Sequence, residues 1–496
     1  MKRIFTYLIL SIAAISAVSC NWLDIIPEDT TTEEQQFSDA GGYHSAINGL
    51  YQTMASPSLY GKNLTWGFVS ALSQYYDNAV ADNSKAFSYT EKYDYASDEV
   101  RSYGEDIWQT AYNVIANANN ILRHLETADP AIFPEYDKHE VDVIRGESLA
   151  VRALMHFDLL RLFAVAPAVD AKAKAIPYVE SYPSLFNERK TVSEVIAKVE
   201  KDLDEAASLL AENDTTISLS ATYLYSTSSR YYVSNSSRDY FFTARGVRLN
   251  YIAVKALQAR VAAYAGNLEK AASIADGIIS KYVEGDSWYS YTTGFSASDQ
   301  ESSRPHKLID ELLISFYREN LATEYKSAAY KDLDDNSYAL KNVAGIFADN
   351  DDYRKVKLLS NLSTSTTVSL KYFERSGGSS IINTENRLLP VMRLSELYLL
   401  KAEYLASQNK IPEAVAILND LRIKRGCMTT TIDPAISAAE FKAALDKEIW
   451  RENVAEGQYF FYCKRINAPS INNDGVFVPM EGKYTMEIPD SEINLN

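Results

Sequence analysis

Two related stretches decide the fold, and the first runs from Asn250 to Tyr282 as NYIAVKALQARVAAYAGNLEKAASIADGIISKY. The second runs from Arg393 to Arg422 as RLSELYLLKAEYLASQNKIPEAVAILNDLR and aligns with the first after a shift of 143 residues. In that register four small or apolar residues match, namely Ala259 with Ala402, Leu268 with Ile411, Ala271 with Ala414 and Ile274 with Ile417. Each stretch predicts two antiparallel helices joined by a polar break, as in tetratricopeptide-like repeats. Because such pairs cannot bury their apolar faces alone, we expect them to stack on neighbouring helices.

Helical signals continue outside the two stretches, so the chain is predicted to be mostly helical. Apolar residues recur at helical spacing from Glu140 to Phe163, which indicates one long amphipathic helix. Thr191 to Glu194 reads T-V-S-E, a capping box that predicts a helix from there to about Leu210. Ser437 to Glu440 repeats the signature before a helix over Phe441 to Trp450.

The composition excludes several classes of protein. With 46% hydrophobic residues among 496, the chain can bury a large core, which argues against global disorder. Its 66 acidic and 49 basic residues give a net charge of −17, which argues against a nucleic-acid partner. Three cysteines are too few for a disulfide scaffold or a cysteine-rich zinc site. The 35 tyrosines, against 18 phenylalanines, indicate many positions with an apolar ring and a polar tip.

The N-terminus has the features of an export signal. Lys2 and Arg3 precede an apolar run from Ile4 to Val18 that is short for a membrane span. The run closes as Ala17-Val18-Ser19-Cys20, which resembles a bacterial lipobox and predicts removal of residues 1–19 and lipidation of Cys20. The alternative is an ordinary secretory signal. Loss of Lys2 and Arg3 would change the net charge from −17 to −19, so the acyl chains and not a basic patch would hold the protein on a membrane.

If Cys20 is acylated, Cys427 and Cys463 remain. They could form a disulfide or stay as two buried thiols. Two thiols are favoured, because nothing in their spacing enforces a bridge.

No motif of an enzyme or of a metal site stands out. Phosphate-binding, dinucleotide-binding, serine-hydrolase and zinc-protease signatures are absent from the sequence. The five histidines lack ligand spacing, and His156, beside Phe157, is expected to pack in the core or at an interface. The acidic run from Asp349 to Asp352 is interpreted as a solvated turn. We therefore predict no catalytic residue, no cofactor and no metal ligand.

Aromatic residues concentrate in three long stretches between the helices, at 59–98, 213–239 and 284–305. Sugars stack an apolar C–H face on Tyr or Trp rings, while acidic and amide side chains take their hydroxyls. For any single ring, packing is the competing interpretation. The predicted glycan-binding residues are Trp66, Tyr75, Tyr76, Asp77, Asn78, Tyr89, Trp288, Tyr289 and Tyr291.

Several segments, in order, resemble the SusD/RagB family of surface nutrient-binding lipoproteins. They are C-N-W-L-D-I-I-P (20–27), Y-N-V-I-A-N-A-N-N-I-L (112–122), R-G-E-S-L-A-V-R-A-L-M-H-F-D-L-L-R-L-F (145–163), R-L-S-E-L-Y-L-L-K-A-E-Y-L (393–405), L-N-D-L-R-I-K-R-G (418–426), W-R-E-N-V-A-E-G-Q-Y-F-F (450–461) and the closing I-P-D-S-E-I-N-L-N (488–496). The resemblance covers essentially the whole mature chain.

The resemblance implies an all-α superhelix of tetratricopeptide-like pairs with a long-loop face that binds ligand. It implies a single domain over 20–496, with an N-terminal region at about 20–215 and a C-terminal region at about 300–496. It further implies attachment to the outer membrane, facing outward, and a SusC-like TonB-dependent β-barrel transporter as partner. The family's motifs mark the scaffold, so no binding residue is carried over from them.

The resemblance implies capture of an oligosaccharide and its delivery to the transporter, without bond cleavage. Peptide capture, which the same family also performs, is one alternative. A helical-repeat scaffold of the transporter with no small ligand is another. A hydrolase is disfavoured by the missing acid/base signature.

Overall fold

Helices make up most of the regular structure in the computed structural model. It describes residues 32–77, 87–133, 137–216, 220–233, 240–292, 305–329, 338–361, 366–377, 379–473 and 476–493. Within these ranges the α-helices are α1 Glu33–Gln36, α2 Ala40–Met54, α3 Phe68–Leu72, α4 Ser88–Glu91, α5 Asp98–Thr127, α6 Asp137–Phe163, α7 Pro167–Asp170, α8 Val192–Thr215, α9 Thr227–Arg230, α10 Tyr251–Tyr264, α11 Leu268–Ile278, α12 Leu321–Ala329, α13 Val343–Ile346, α14 Tyr353–Leu358, α15 Ser380–Glu385, α16 Leu394–Ser407, α17 Ile411–Lys424, α18 Ala438–Glu452, α19 Gln458–Arg465 and α20 Asp490–Ile493. The all-α prediction is confirmed.

The strands in the described ranges are short and form four separate antiparallel pairs. They are β1 Lys174–Pro177 with β2 Arg189–Thr191, β3 Leu312–Tyr317 with β6 Leu388–Arg393, β4 Leu359–Asn361 with β5 Thr367–Ser369, and β7 Ser470–Asn473 with β8 Val476–Pro479. Only β3 and β6 have six residues each, and both lie in the core. No helix among the described residues is long and apolar enough to cross a membrane.

The longer helices stack on one another in chain order. Helix α2 packs on α5, α5 on α6, α6 on α8 and α8 on α10. The stack continues through α11, α16, α17 and α18. One hydrophobic core runs through these helices, as expected for repeat-like pairs that bury their faces only against neighbours.

Both helix pairs predicted from the repeat are present. Helix α10 begins after Asn250, whose side chain accepts a hydrogen bond from the amide of Ala253 at 3.0 Å. The matched Ala259 and Ala402 are both fully buried, so the helices can approach closely where they cross. Helix α11 packs against α16. The two pairs are therefore neighbours in space although they are far apart in the sequence.

Two predicted capping boxes are confirmed. The side chain of Thr191 accepts from the amide of Glu194 at 3.3 Å, and the Glu194 carboxylate accepts from the amide of Thr191 at 2.8 Å. Ser437 and Glu440 repeat both bonds at the start of α18. Helix α8 continues to Thr215, beyond the predicted end near Leu210.

The polar residues of α6 serve the scaffold. Arg152 binds both carboxylate oxygens of Asp202 on α8 at 2.7 Å. His156 is completely buried as expected, and it stacks on Tyr178 with ring centres 3.9 Å apart. Its Nδ1 donates to the carbonyl of Arg152 at 2.8 Å and its Nε2 accepts from the amide of Val179 at 2.9 Å. Burial lowers the pKa of His156 to about 3, so the ring is neutral.

The tyrosine excess has a structural cause. Many buried tyrosines donate their hydroxyl to a backbone carbonyl, including Tyr75 to Trp450 at 2.6 Å and Tyr372 to Ala455 at 2.9 Å. Irregular backbone, as at Ala455, and the last turn of a helix, as at Trp450, leave carbonyls without a regular partner, and these carbonyls still need donors when they are buried. A tyrosine fills the core with its ring and supplies that donor with its hydroxyl. Phenylalanine could do only the first.

A buried ion-pair network joins the ends of helices α17 and α18 to helix α14 and strand β6. Glu452, at the end of α18, accepts from Arg354 at 2.8 Å, from Arg393 at 2.6 Å and from Arg425 at 2.7 Å. Burial raises the pKa of this carboxyl, but the three guanidinium groups outweigh that effect and hold it well below its ordinary value. Glu456 pairs with Arg393 at 2.9 Å. Arg425, Glu452 and Glu456 all lie in the motifs that suggested the family.

The expectation that the acidic run 349–352 forms a solvated turn is wrong for its two ends. Asp349 and Asp352 are buried and are not part of a solvated turn, because arginines neutralise them. Asp349 pairs with Arg422 at 2.9 Å and Asp352 with Arg354 at 2.7 Å. Asp349, Asp352 and Cys427 have ligand atoms within 4.8 Å of one another. Their guanidinium partners already occupy the carboxylates, and burial raises the pKa of the Cys427 thiol to about 12, so the cluster fits an ion-pair network better than a metal site.

Candidate ligand-binding face

Arg230 joins two of the aromatic stretches that the sequence analysis singled out. Its fully buried guanidinium donates from Nη1 to the carbonyl of Leu224 at 3.1 Å and to that of Trp288 at 2.5 Å. Its carbon Cζ also lies 4.1 Å from the ring centre of Tyr289. Because both carbonyls reach one nitrogen, the backbone near Leu224 lies beside that of Trp288. The segments 220–233 and 284–292 are therefore neighbours, and together they are called here the aromatic face.

Local bonds fix the shape of this face. Helix α9 begins after Ser226, whose hydroxyl accepts from the amide of Ser229 at 3.3 Å. Thr227 hydrogen-bonds to Asp310, and Tyr231 packs in a small core with Ile309 and Leu388. The face is thus held against the segment that precedes β3.

Three rings of the aromatic face reach solvent. Tyr225 and Tyr232 are each 53% exposed, and Trp288 is half-buried. Trp288 packs on Tyr282 with ring centres 4.9 Å apart and planes inclined by 45°. Ser228, on α9, adds an exposed hydroxyl. Exposed rings beside hydroxyl groups are the elements that sugar stacking requires.

The buried ion-pair network is also bound to the aromatic face, through Glu311. Glu311 accepts from the amide of Thr292 at 3.0 Å, and it pairs with Arg425 of the network at 2.7 Å. Tyr291 packs with its ring centre 5.4 Å from the Arg425 guanidinium. Motif residues at the end of α17 therefore position the chain that follows Trp288.

Five of the predicted binding residues are core residues, which corrects the expectation that their rings face a ligand. Trp66, Tyr75, Tyr76, Tyr289 and Tyr291 are all buried. Trp66 packs edge-on against Tyr325, with ring centres 5.1 Å apart. The aromatic density that suggested sugar stacking comes here from packing, because these irregular segments also contribute rings to the core.

The other predicted residues differ in exposure. Trp288 belongs to the aromatic face, while Tyr89 is half-buried in α4 with the Lys92 ammonium 5.7 Å from its ring centre. Asp77 is exposed and its amide donates to the carbonyl of Ala339 at 2.9 Å. Asn78 lies outside the described residues, as do Cys20 and the rest of residues 1–31. Glycan contact at Trp288, Tyr89, Asp77 and Asn78 stays a prediction.

Tyr225 and Tyr232 are not among the binding residues predicted from the sequence. Both lie in the Ser/Thr-rich stretch 213–239, where tyrosines sit among short polar residues and outside helical periodicity. That polar context was the available signal. The same context surrounds Tyr231, which is buried, so it does not by itself separate exposed tyrosines from buried ones.

Sequence models of two related families match the chain. The model described as "SusD family" matches residues 193–496, and the model described as "starch-binding associating with outer membrane" matches residues 21–233. A protein named SusD-like protein P2, from Formosa agariphila, is 22% identical over 158 residues. That stretch is 32% of this chain and spans only 29% of the relative's length.

Solved structures share the fold. A SusD superfamily protein from Bacteroides thetaiotaomicron superposes with a TM-score of 0.69 at 23% identity, covering 92% of this chain and 98% of its own. A SusD-like carbohydrate binding protein from Bacteroides vulgatus gives a TM-score of 0.68 at 20% identity, with 92% and 96% covered. A protein described as a laminarin binding SusD-like protein gives 0.59 at 15% identity, with 92% and 98% covered.

Proposed function

The chain belongs to the SusD family, and from this premise we propose that it captures oligosaccharides at the cell surface and delivers them to an outer-membrane transporter. The observation that carries the proposal is the family match over residues 193–496, more than half of the chain. The starch-binding description of the model that matches residues 21–233, and the laminarin-binding structural neighbour, support a glycan as the ligand class.

The aromatic face supplies the contacts for this ligand. Tyr225, Tyr232 and Trp288 offer solvent-accessible rings, and Arg230 holds together the two segments that carry them. A bound sugar would stack on these rings and exchange hydrogen bonds with neighbouring hydroxyls. Each ring that stacks fully is worth about 1 kcal/mol or more, so three rings supply about 3 kcal/mol of the roughly 4 kcal/mol that a millimolar Kd requires, and polar contacts supply the rest.

The proposal places the protein on the outer membrane through a lipidated Cys20, facing outward. A SusC-like TonB-dependent β-barrel is the proposed receiver of the glycan. The family description that mentions association with the outer membrane supports this location. Capture by a lid-like binding protein raises the local concentration of glycan at the transporter entrance.

We propose that the protein binds without cleaving the glycan. A glycosidase needs two carboxyl groups about 5–10 Å apart beside an open cleft. Asp349 and Asp352 of the acidic run are buried and paired with arginines instead. Binding function also agrees with the family's description as binding proteins.

Isothermal titration calorimetry of the mature protein tests the ligand class. A set of neutral oligosaccharides, among them α-glucans and β-1,3-glucans, would be compared with oligopeptides of similar mass. We expect saturable heat with at least one oligosaccharide and none with the peptides. Saturable binding of peptides alone would replace the proposal with peptide capture, and binding of neither, with retained transporter association, would favour a scaffold role. Analysis of the bound sugar after a long incubation would expose any cleavage.

A further inference from the structure

The loop 182–187 presents two large apolar side chains to solvent. Leu185 is fully exposed and Phe186 is 66% exposed. The loop is nevertheless well held, because Asn119 donates to the carbonyl of Val179 at 2.9 Å and Ser184 donates to Asn187 at 3.0 Å. A fixed loop that keeps two such side chains in water indicates a surface that is covered when the protein is at work.

This loop lies beside the point where the described chain begins. The Arg123 guanidinium is 5.4 Å from the ring centre of Tyr182 and forms an ion pair with Glu33 on α1. Thr32, Glu33 and Tyr182 line one cleft. The first described residue and the base of the loop are therefore close neighbours.

The proposed lipid anchor restricts what can lie next to that point. Thr32 follows Cys20 by only 12 residues, a length that spans at most about 40 Å when fully extended. Acyl chains on Cys20 enter the bilayer. The edge of the protein that carries Thr32 and the loop 182–187 is then the edge within reach of the membrane surface.

We propose that Leu185 and Phe186 insert into the outer leaflet of the membrane to which the protein is anchored. This inference rests on the proposed lipidation of Cys20 and adds a second membrane contact. The acyl chains on Cys20 hold the protein at the membrane, but a tether at one end of the chain leaves its orientation free. Leu185 and Phe186, called here the apolar tip, add a second contact that fixes how the protein is oriented on the bilayer.

A bilayer fits this tip better than a protein surface does. The tip consists of two projecting side chains, whereas a stable protein interface buries about 800 Å² on each partner. The nearby charges are balanced, although the whole chain carries −17. Along the sequence from 170 to 194, which contains the loop, four basic residues offset four acidic ones, namely Lys172, Lys174, Arg189 and Lys190 against Asp170, Glu180, Glu188 and Glu194. Anionic headgroups would therefore repel this edge less than the rest of the protein.

A fluorescence experiment on the lipidated full-length protein tests the inference. Leu185→Cys would be labelled with the environment-sensitive dye NBD and the protein bound to vesicles of phosphatidylethanolamine and phosphatidylglycerol. The native thiols do not interfere, because Cys427 and Cys463 are buried. The matched control is Ile423→Cys on α17, a partly exposed apolar residue. We expect a blue shift and quenching by nitroxide-labelled lipid at 185 and neither at 423.

Each outcome decides the question. A water-like spectrum at 185 on protein that floats with the vesicles would overturn membrane insertion and leave the anchor intact. If the NBD emission at 185 shifts only when the transporter is present, the tip contacts that partner and the inference is overturned as well. Failure to float would contradict lipidation at Cys20 and remove the premise, while glycan titration would still report on the ligand site. As a second readout, Leu185→Ser with Phe186→Ser should lower vesicle partitioning at least about tenfold.

Discussion

Arg425 and Glu311 form a bidentate ion pair, with Nη1 to Oε1 and Nη2 to Oε2 both at 2.7 Å, although 114 positions separate them in the sequence. Arg425 follows the last repeat helix, and Glu311 directly precedes β3. Glu311 also holds the amide of Thr292, four residues after Trp288. The pair thus connects the helical scaffold to the aromatic face, and it does so in a fully buried setting.

Removing Arg425 should strongly destabilise the protein. Arg425→Met removes the bidentate partner of Glu311 and one of the three guanidinium partners of Glu452, and breaking such a buried pair costs about 3–5 kcal/mol. Urea unfolding followed by circular dichroism measures the loss. The control is Lys442→Met, which breaks an exposed pair with Asp446 and should cost less than about 1 kcal/mol. Equal losses in both variants would show that the network does not support the fold.

The stability of the protein should fall as the pH drops below about 6.5, because of His156. Burial lowers the pKa of this side chain to about 3 from its ordinary 6.5. In that window the unfolded chain binds a proton that the folded chain rejects, so stability is complete above pH 6.5 and decreases by about 1.4 kcal/mol per unit below it.

Urea unfolding at pH 7.0, 6.0 and 5.0 measures this dependence, and His156→Gln should flatten it. The window lies above the ordinary pKa values of carboxyl groups, and the comparison with His156→Gln separates His156 from the other four histidines of the chain. An unchanged slope in His156→Gln would assign the pH dependence to another group.

Trp66→Ala should lower stability and leave the affinity of the folded protein for glycan unchanged. Trp66 is buried against Tyr325, Tyr338 and Tyr372, and truncation of a core tryptophan costs about 3–5 kcal/mol. Thermal unfolding and calorimetry on the same sample separate the two effects. A folded variant of unchanged stability with lost binding would return Trp66 to the ligand site.

Both thiols of the described chain should be inert in the native state. Cys427 and Cys463 are buried and unpaired, and burial raises the pKa of each to about 12. Ellman's reagent should therefore react with them only after a denaturant is added. Rapid reaction without denaturant would mean that one of these regions opens readily.

Much of the fold follows from the sequence, because its signals are local. The capping boxes at Thr191 and Ser437 and the helical spacing of 250–282 and 393–422 act within a few residues, and the structure contains all four features. The neighbouring position of the two repeat pairs needed the tertiary structure, since nothing local to α11 and α16 shows that they meet.

The candidate site was harder to predict, because exposure depends on distant partners. Tyr75 and Tyr225 both lie outside long helices, yet Tyr75 is covered by Trp450 while Tyr225 is free to solvent. The acidic residues at 349–352 were expected in water, since their arginine partners at 354 and 422 are recognised only in the folded chain. The family motifs indicated the scaffold and not the site, because their arginines and glutamates pair with one another in the core.

The central claim is that the aromatic face captures a glycan, and calorimetric titration of one variant tests it most directly. Tyr225→Ala with Tyr232→Ala removes two exposed rings, while Ile423→Ala removes a partly exposed apolar side chain from α17 as the control. With an oligosaccharide that binds the wild-type protein, we predict about a tenfold or greater loss of affinity in the double variant, from about 1 kcal/mol or more per ring, and none in the control. Unchanged affinity in a folded double variant would contradict the account and place the glycan elsewhere on the protein.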